Sequence, residues 1–173
     1  NKVVGKSSKD KVKVFATFSN ADSFRKTIAD GMKSYAESND INLDFKVADA
    51  DIETQVRQVK EAREKGYDAI VCLLVDSETS QQIINAAGDI PVIFTSVEPD
   101  ASKLKEDKYI YVASDENEVV DYKLEYLTDY FKDKKSFDAV ILEGDRNQKC
   151  VVTRTDSLKE KLRKSGFDVN YVF

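Results

Sequence analysis

The sequence predicts an α/β fold: a parallel sheet with helices on both faces. Three observations carry this. Apolar runs of strand length alternate with stripes of apolar residues at three- and four-residue spacing along nearly the whole chain. The run AIVCLLV at 69–75 is apolar without a break, as a strand covered on both faces is. Gly66, Gly88 and Gly166 each follow a predicted helix, where a left-handed residue closes the last turn. Regular βα alternation of this kind builds a sheet by right-handed crossovers, so neighbouring strands run parallel.

The elements follow in order. Val12–Phe18 is a strand, and Phe24, Ile28, Met32 and Tyr35 then form a helical stripe. Leu43–Ala48 alternates as a strand, and Ile52, Val56, Val59 and Ala62 repeat the helical spacing. Ala69–Val75 is the third strand, Glu78–Ala87 a helix, and Ile90–Thr95 the fourth strand. A polar connection over 97–107 leads to a strand at Tyr109–Ala113. Val119, Val120, Leu124, Leu127 and Phe131 mark a long amphipathic helix. Ala139–Leu142 is a strand, Val151–Leu162 a helix with Arg154 in its first turn, and Val169–Phe173 a last strand. Two strands from residues 137–173 alone would leave open edges, so the second lobe is expected to be incomplete. One seven-stranded sheet complete at residue 173 is the alternative.

Composition narrows the function. With 41% apolar and 34% charged residues the chain reads as a globular domain, and no apolar run reaches the roughly 18 residues of a membrane span. A net charge of −5 without a basic stripe speaks against nucleic acid as a partner. No histidine is present, which removes Ser-His and Cys-His pairs and the commonest metal ligand. Neither GxGxxG nor GxxxxGK[ST] occurs, and no cofactor or metal is expected. Glu143 and Asp145 could be drawn as an acid/base pair, but without a nucleophile they do not make an enzyme. A receiver domain ends its third strand on an Asp, as Asp76 does here, but the first strand is followed by no acidic pair. Cys72 and Cys150 lie in a buried strand and near a helix start; they read as two apolar thiols, with a disulfide between lobes as the alternative. The polar residues 1–11, NKVVGKSSKDK, read as a tether left after a secretory or lipoprotein leader is removed, or as solvated slack.

In parallel α/β sheets, ligands bind beyond the carboxyl ends of the strands. There the chain places Ser19, Asn20, Asp22 and Phe24 after the first strand, and Asp76 and Ser77 after the third. Ser96 and Glu98 follow the fourth, and Asp145, Asn147 and Gln148 the sixth. Carboxylates, amides and hydroxyls beside a ring suit a polyhydroxylated ligand, whose C–H face stacks while its hydroxyls pair. Each residue also has a plainer role: Asp22, Asp76 and Asp145 as caps or turn residues, Phe24 as core, Arg154 on a solvated basic face.

Five segments, NADSF at 20–24, CLLVDSETS at 72–80, IPVIFTSVEP at 90–99, DKYIYVASD at 107–115 and TRTDSLKEKL at 153–162, are collinear with a known family. Together they resemble the sugar-binding proteins of bacterial ABC uptake and chemotaxis, the ribose- and galactose/glucose-binding type with the type I periplasmic-binding-protein fold. The resemblance implies two Rossmann-like lobes around a cleft, residues 12–113 forming most of the first and 114–173 beginning the second. It implies ligand contacts from Asp22 and Phe24, with Ser96 standing where the family has an Asn. Gln148 and Cys150 stand where it has a His and an Asp, and Arg154 matches its Arg. Asn20, Asp76 and Asp115 complete the candidate set. In VASDENEVVDY at 112–122 the resemblance places the first crossover between lobes, with its acidic residues settled on a helix N-terminus. The expectation is an extracytoplasmic solute-binding protein that captures a small polar ligand, a sugar, for an ABC permease, with a possible membrane tether at its N-terminus. The alternatives are a sensor module of the same fold feeding a histidine kinase or chemoreceptor, and a repressor core, for which no helix-turn-helix precedes Val12.

Overall fold

The computed structural model describes residues 11–146 and 148–172. The expected tether, apart from Lys11, lies outside the described residues, as do Asn147 and Phe173. The elements run β1 (Val12–Phe18), α1 (Ser23–Ser38), β2 (Ile41–Val47), α2 (Ile52–Glu64), β3 (Ala69–Leu73), α3 (Ser80–Ala87), β4 (Val92–Thr95) and β5 (Tyr109–Val112). They continue as α4 (Glu116–Tyr130), β6 (Ser136–Ala139), α5 (Lys149–Lys164) and β7 (Asp168–Tyr171). β1 to β5 make one parallel sheet in the order β2-β1-β3-β4-β5, and β6 and β7 pair parallel in a second sheet. The described strands therefore form two sheets rather than one of seven strands. The chain divides into two compact units, one comprising the chain to Thr95 with Pro99–Val112, the other Ser96–Glu98 with Ala113 onward.

The core of the first unit explains why β1 and β3 are central. Phe18, Ile70, Leu73, Val59, Ile83 and Phe94 are fully buried, so the sheet is covered on both faces. Phe18 meets Phe45 of β2 edge to face at 4.8 Å. Two glutamines lie inside this apolar shell. Gln55 donates to the Leu73 carbonyl at 2.9 Å and accepts from the Val75 N–H at 3.0 Å. Gln58 accepts from the Thr17 hydroxyl at 2.7 Å and donates to the Val47 carbonyl at 2.8 Å. Facing β1 to β3 from α2, they satisfy backbone groups just where those strands run out of ladder partners.

Helix ends follow local chemistry. Asp51 caps α2 by accepting from the N–H groups of Glu53 and Thr54. At the other end Gly66 takes φ +69, with Gly66 N–H to the Arg63 carbonyl and Tyr67 N–H to the Ala62 carbonyl. This is a Schellman closure, which a Cβ disfavours. Gly66→Ala is expected to cost about 1 kcal/mol, read as a lower urea midpoint with an unchanged slope.

Three expectations need correction. The sixth strand lies at Ser136–Ala139, three residues before the expected span, and Val140 and Leu142 are 68% and 96% exposed. The pairing with β7 decides this: Ser136 stands opposite Asp168 and Ala139 opposite Tyr171, and the flanking bonds Asp168 N–H to Lys135 O and Val172 N–H to Ala139 O end the register there. On α1 the buried positions are Ala29 and Ala36, and Phe24, expected to open the apolar stripe, is 60% exposed. Finally, α5 begins at Lys149, which puts Arg154 in the second turn.

Both cysteines are free thiols, so the disulfide alternative is not formed. Burial in β3 pushes the Cys72 thiol well up, whereas Cys150 is partly exposed near the start of α5. A thiol reagent such as Ellman's is therefore expected to titrate Cys150 alone in the native protein and both thiols once it is denatured.

Candidate functional site

In the first unit the candidate groups gather at the β1–α1 loop. Asp22 is the N-cap of α1, its carboxylate accepting from the Arg25 N–H at 2.8 Å while its other oxygen pairs with the Arg25 guanidinium. The backbone N–H bond, reinforced by the guanidinium, holds the Asp22 carboxyl below the usual carboxylate range. Arg25 also donates from Nε to the buried Ser19 hydroxyl at 3.1 Å, tying the cap to the end of β1. The loop is pinned a second time by the Ala50 N–H, which donates to the Ser19 carbonyl at 2.8 Å. That bond comes from a turn in which Asp49 and Ala50 are both left-handed, at φ 52 and 59. For an alanine this costs about 1 kcal/mol, so the turn is held by its surroundings.

Asn20 and Asp22 line an open groove of about 430 Å³ together with Arg25, Lys33 and Phe45. Phe24 and Asp76 do not line it. The Phe24 ring is solvent-facing and able to stack on a ligand. Asp76 caps the short 3-10 turn Ser77–Thr79 by accepting from the Glu78 N–H at 2.9 Å. Beside it the buried Ser77 hydroxyl lacks a hydrogen-bond partner among the described residues.

In the second unit Ser96 takes a left-handed φ of 63. Asp115 is the N-cap of α4, accepting from the Asn117 N–H at 2.8 Å, with Glu116 and Glu118 in the first turn. The acidity of VASDENEVVDY is thus matched to a helix N-terminus, where partial positive charge favours it. Gln148 occupies the N-cap position of α5 without a side-chain capping bond, and its Oε1 lies 3.9 Å from the Cys150 sulfur. Arg154 forks onto Glu116.

Sequence reasoning missed Arg25, Glu116, Gln55 and Gln58. Arg25 had a readable signal, standing three residues after Asp22 on one helix face. The other three act on groups 11 to 41 residues away, which no local pattern marks.

Parallel α/β units that present carboxylate, amide and hydroxyl groups beside an exposed ring beyond their strand ends have the form of a small-molecule-binding protein. The chain belongs to the family of periplasmic binding protein domains, whose profile matches residues 13–172. Its fold is the type I periplasmic-binding-protein fold, and the family is one of extracytoplasmic ligand-binding proteins, not of enzymes. Among solved structures it is similar to a periplasmic ribose ABC transporter protein from Conexibacter woesei, at 22% identity and a TM-score of 0.79, over 97% of this chain and 56% of that one. It is similar to an ABC transporter solute-binding protein from Bacillus halodurans with bound myo-inositol, at 22% identity and 0.78, over 96% and 58%. It is also similar to the fructose-binding periplasmic domain of a hybrid two-component system, at 19% identity and 0.74, over 93% and 52%. The chain thus spans little more than half the length of these structures. No curated protein matches it. Among the described residues no helix is long and apolar enough to cross a membrane.

Proposed function

We propose that the protein is a solute-binding protein that captures a small polar ligand, a sugar, outside the cytoplasm and delivers it to an ABC permease. The observation that carries this reading is the β1–α1 loop of a periplasmic binding protein domain, where Asn20, an ionised Asp22 and the exposed ring of Phe24 follow one strand end. A carboxylate still has lone pairs for ligand hydroxyls after accepting two bonds, and the ring supplies the apolar face a sugar needs. Asp76, Ser96, Asp115, Gln148 and Arg154 are the further ligand contacts in this reading, Asp76 and Asp115 serving as helix caps as well. An N-terminal membrane tether keeps the protein near its permease.

Calorimetric titration of the intact protein with neutral hexoses, pentoses and inositols tests the proposal. Saturable binding of at least one of them is expected, and heats of dilution alone across the panel would overturn it. A second reading is a sensor module feeding a histidine kinase or chemoreceptor. The observation favouring it is the similarity to the periplasmic domain of a hybrid two-component system. The coding sequence that adjoins this domain separates the two: a membrane span followed by a kinase or chemoreceptor domain marks the sensor.

A further inference from the structure

Among the described residues β2 pairs only with β1, so one long side of it is a free edge of the five-stranded sheet. The Ala48 N–H donates to the Phe18 carbonyl of β1 at 2.8 Å. By the alternation of a parallel ladder, the even-numbered residues of β2 bond to β1, and Leu43, Phe45 and Val47 turn their backbone groups to the edge. The Val47 carbonyl is met there by the Gln58 amide of α2. Side chains along the strand are incompletely covered: Ile41, Leu43, Phe45 and Val47 are half-buried on one face, and Asn42, Asp44 and Lys46 are exposed on the other. Every residue from 42 to 47 lines one of three open grooves, of about 430, 260 and 430 Å³.

We propose that this edge is a self-association site, at which β2 pairs antiparallel with β2 of a second copy about a twofold axis at Phe45. An axis there lets Phe45 exchange both backbone bonds with Phe45 of the second copy and sets Leu43 against Val47, so the outward-turned groups meet. Asp44 then stands opposite Lys46 of the second copy, and Lys46 opposite its Asp44, in the pairs where side chains come closest. Sliding one strand by two residues either way puts Asp44 against Asp44 or Lys46 against Lys46, which like-charge repulsion disfavours. Charged side chains ordinarily guard an edge against pairing. Here opposite charges two residues apart make that guard selective for one register. Both stay exposed while held on their own chain, Asp44 accepting from the Tyr67 hydroxyl and Lys46 pairing with Glu61 at 3.0 Å.

The test is sedimentation velocity on the intact protein over a concentration series, for the wild type, Asp44→Lys, Lys46→Asp and an equimolar mixture of the two variants. The wild type is expected to pass from monomer to dimer in the micromolar range, as a small interface does. Each variant alone sets like charges opposite each other on both sides of the axis and is expected to dimerise about tenfold or more weakly. In the mixture every such pair is again of opposite sign, so a heterodimer is expected within about threefold of the wild-type affinity. A wild type that stays monomeric up to about 500 μM overturns the proposal, and this arm stands even if a variant fails to fold by circular dichroism. A wild-type dimer that neither folded variant weakens also overturns it, because the copies then meet elsewhere. So does a mixture of folded variants that fails to dimerise, because Asp44 and Lys46 then do not face each other. Ligand binding enters none of these outcomes, so the proposal stands or falls apart from the sugar-binding reading.

Discussion

Replacing Gln55 by leucine is expected to destabilise the first unit by about 2–4 kcal/mol, the sum of leaving one partly buried N–H and one buried carbonyl without their side-chain partner. Leucine fills a similar volume, so the loss is not a cavity effect. The groups affected are the Val75 N–H and the Leu73 carbonyl, at the point where β3 ends and the Asp76 turn begins. Urea unfolding of wild type and variant measures the difference. Gln55→Glu is an informative second substitution, because it keeps an acceptor for Val75 but loses the donor to Leu73 and buries a carboxyl group. A Gln55→Leu variant within about 0.5 kcal/mol of wild type would show that the two backbone groups find other partners.

Changing Asp22 separates a structural from a binding role in one residue. Asp22→Ala removes both the cap of α1 and the carboxylate offered to the ligand, and is expected to cost about 1 kcal/mol of stability together with most of the sugar affinity. Asp22→Ser retains a good capping oxygen, so its stability should return toward wild type. Its affinity should stay down by about 10- to 100-fold, the worth of a hydrogen bond to a charged acceptor. Equal affinities of Asp22→Ser and wild type in calorimetry would remove Asp22 from the site. The Asp22 carboxyl is held low in the folded state by the Arg25 N–H and guanidinium. Its stabilising contribution is therefore complete above the unfolded carboxylate value and is lost as pH falls through the lowered folded value. Between pH 5 and 8 the carboxylate stays ionised, and no pH dependence of affinity is expected from it.

Much of the fold is written in short-range patterns. The β-rich run of β1 coincides with its structural bounds, its Phe15–Phe18 half being buried while Val12 and Lys13 stay exposed. The caps Asp51, Asp76 and Asp115 and the closing Gly66 obey rules that act within one turn of helix. The β6 span was not legible in this way, since VIL at 140–142 has the better strand composition and yet the pairing with β7 selects SFDA. Whether Phe24 packs inward or faces a ligand was not legible either, since it shares the apolar spacing of α1; the helix turns Ala29 and Ala36 inward and leaves the large ring outside.

The order of strands and helices, the aspartate caps and the polar loops beyond the strands were determined by the sequence alone, because each depends on residues within about four positions of one another. Tertiary structure decided which glutamines go inside, which arginine ties Asp22 to Ser19, and that Glu116 meets Arg154. Such pairings depend on where distant segments are brought by the sheet register and by helix packing, and charge or polarity at a single position does not reveal its partner.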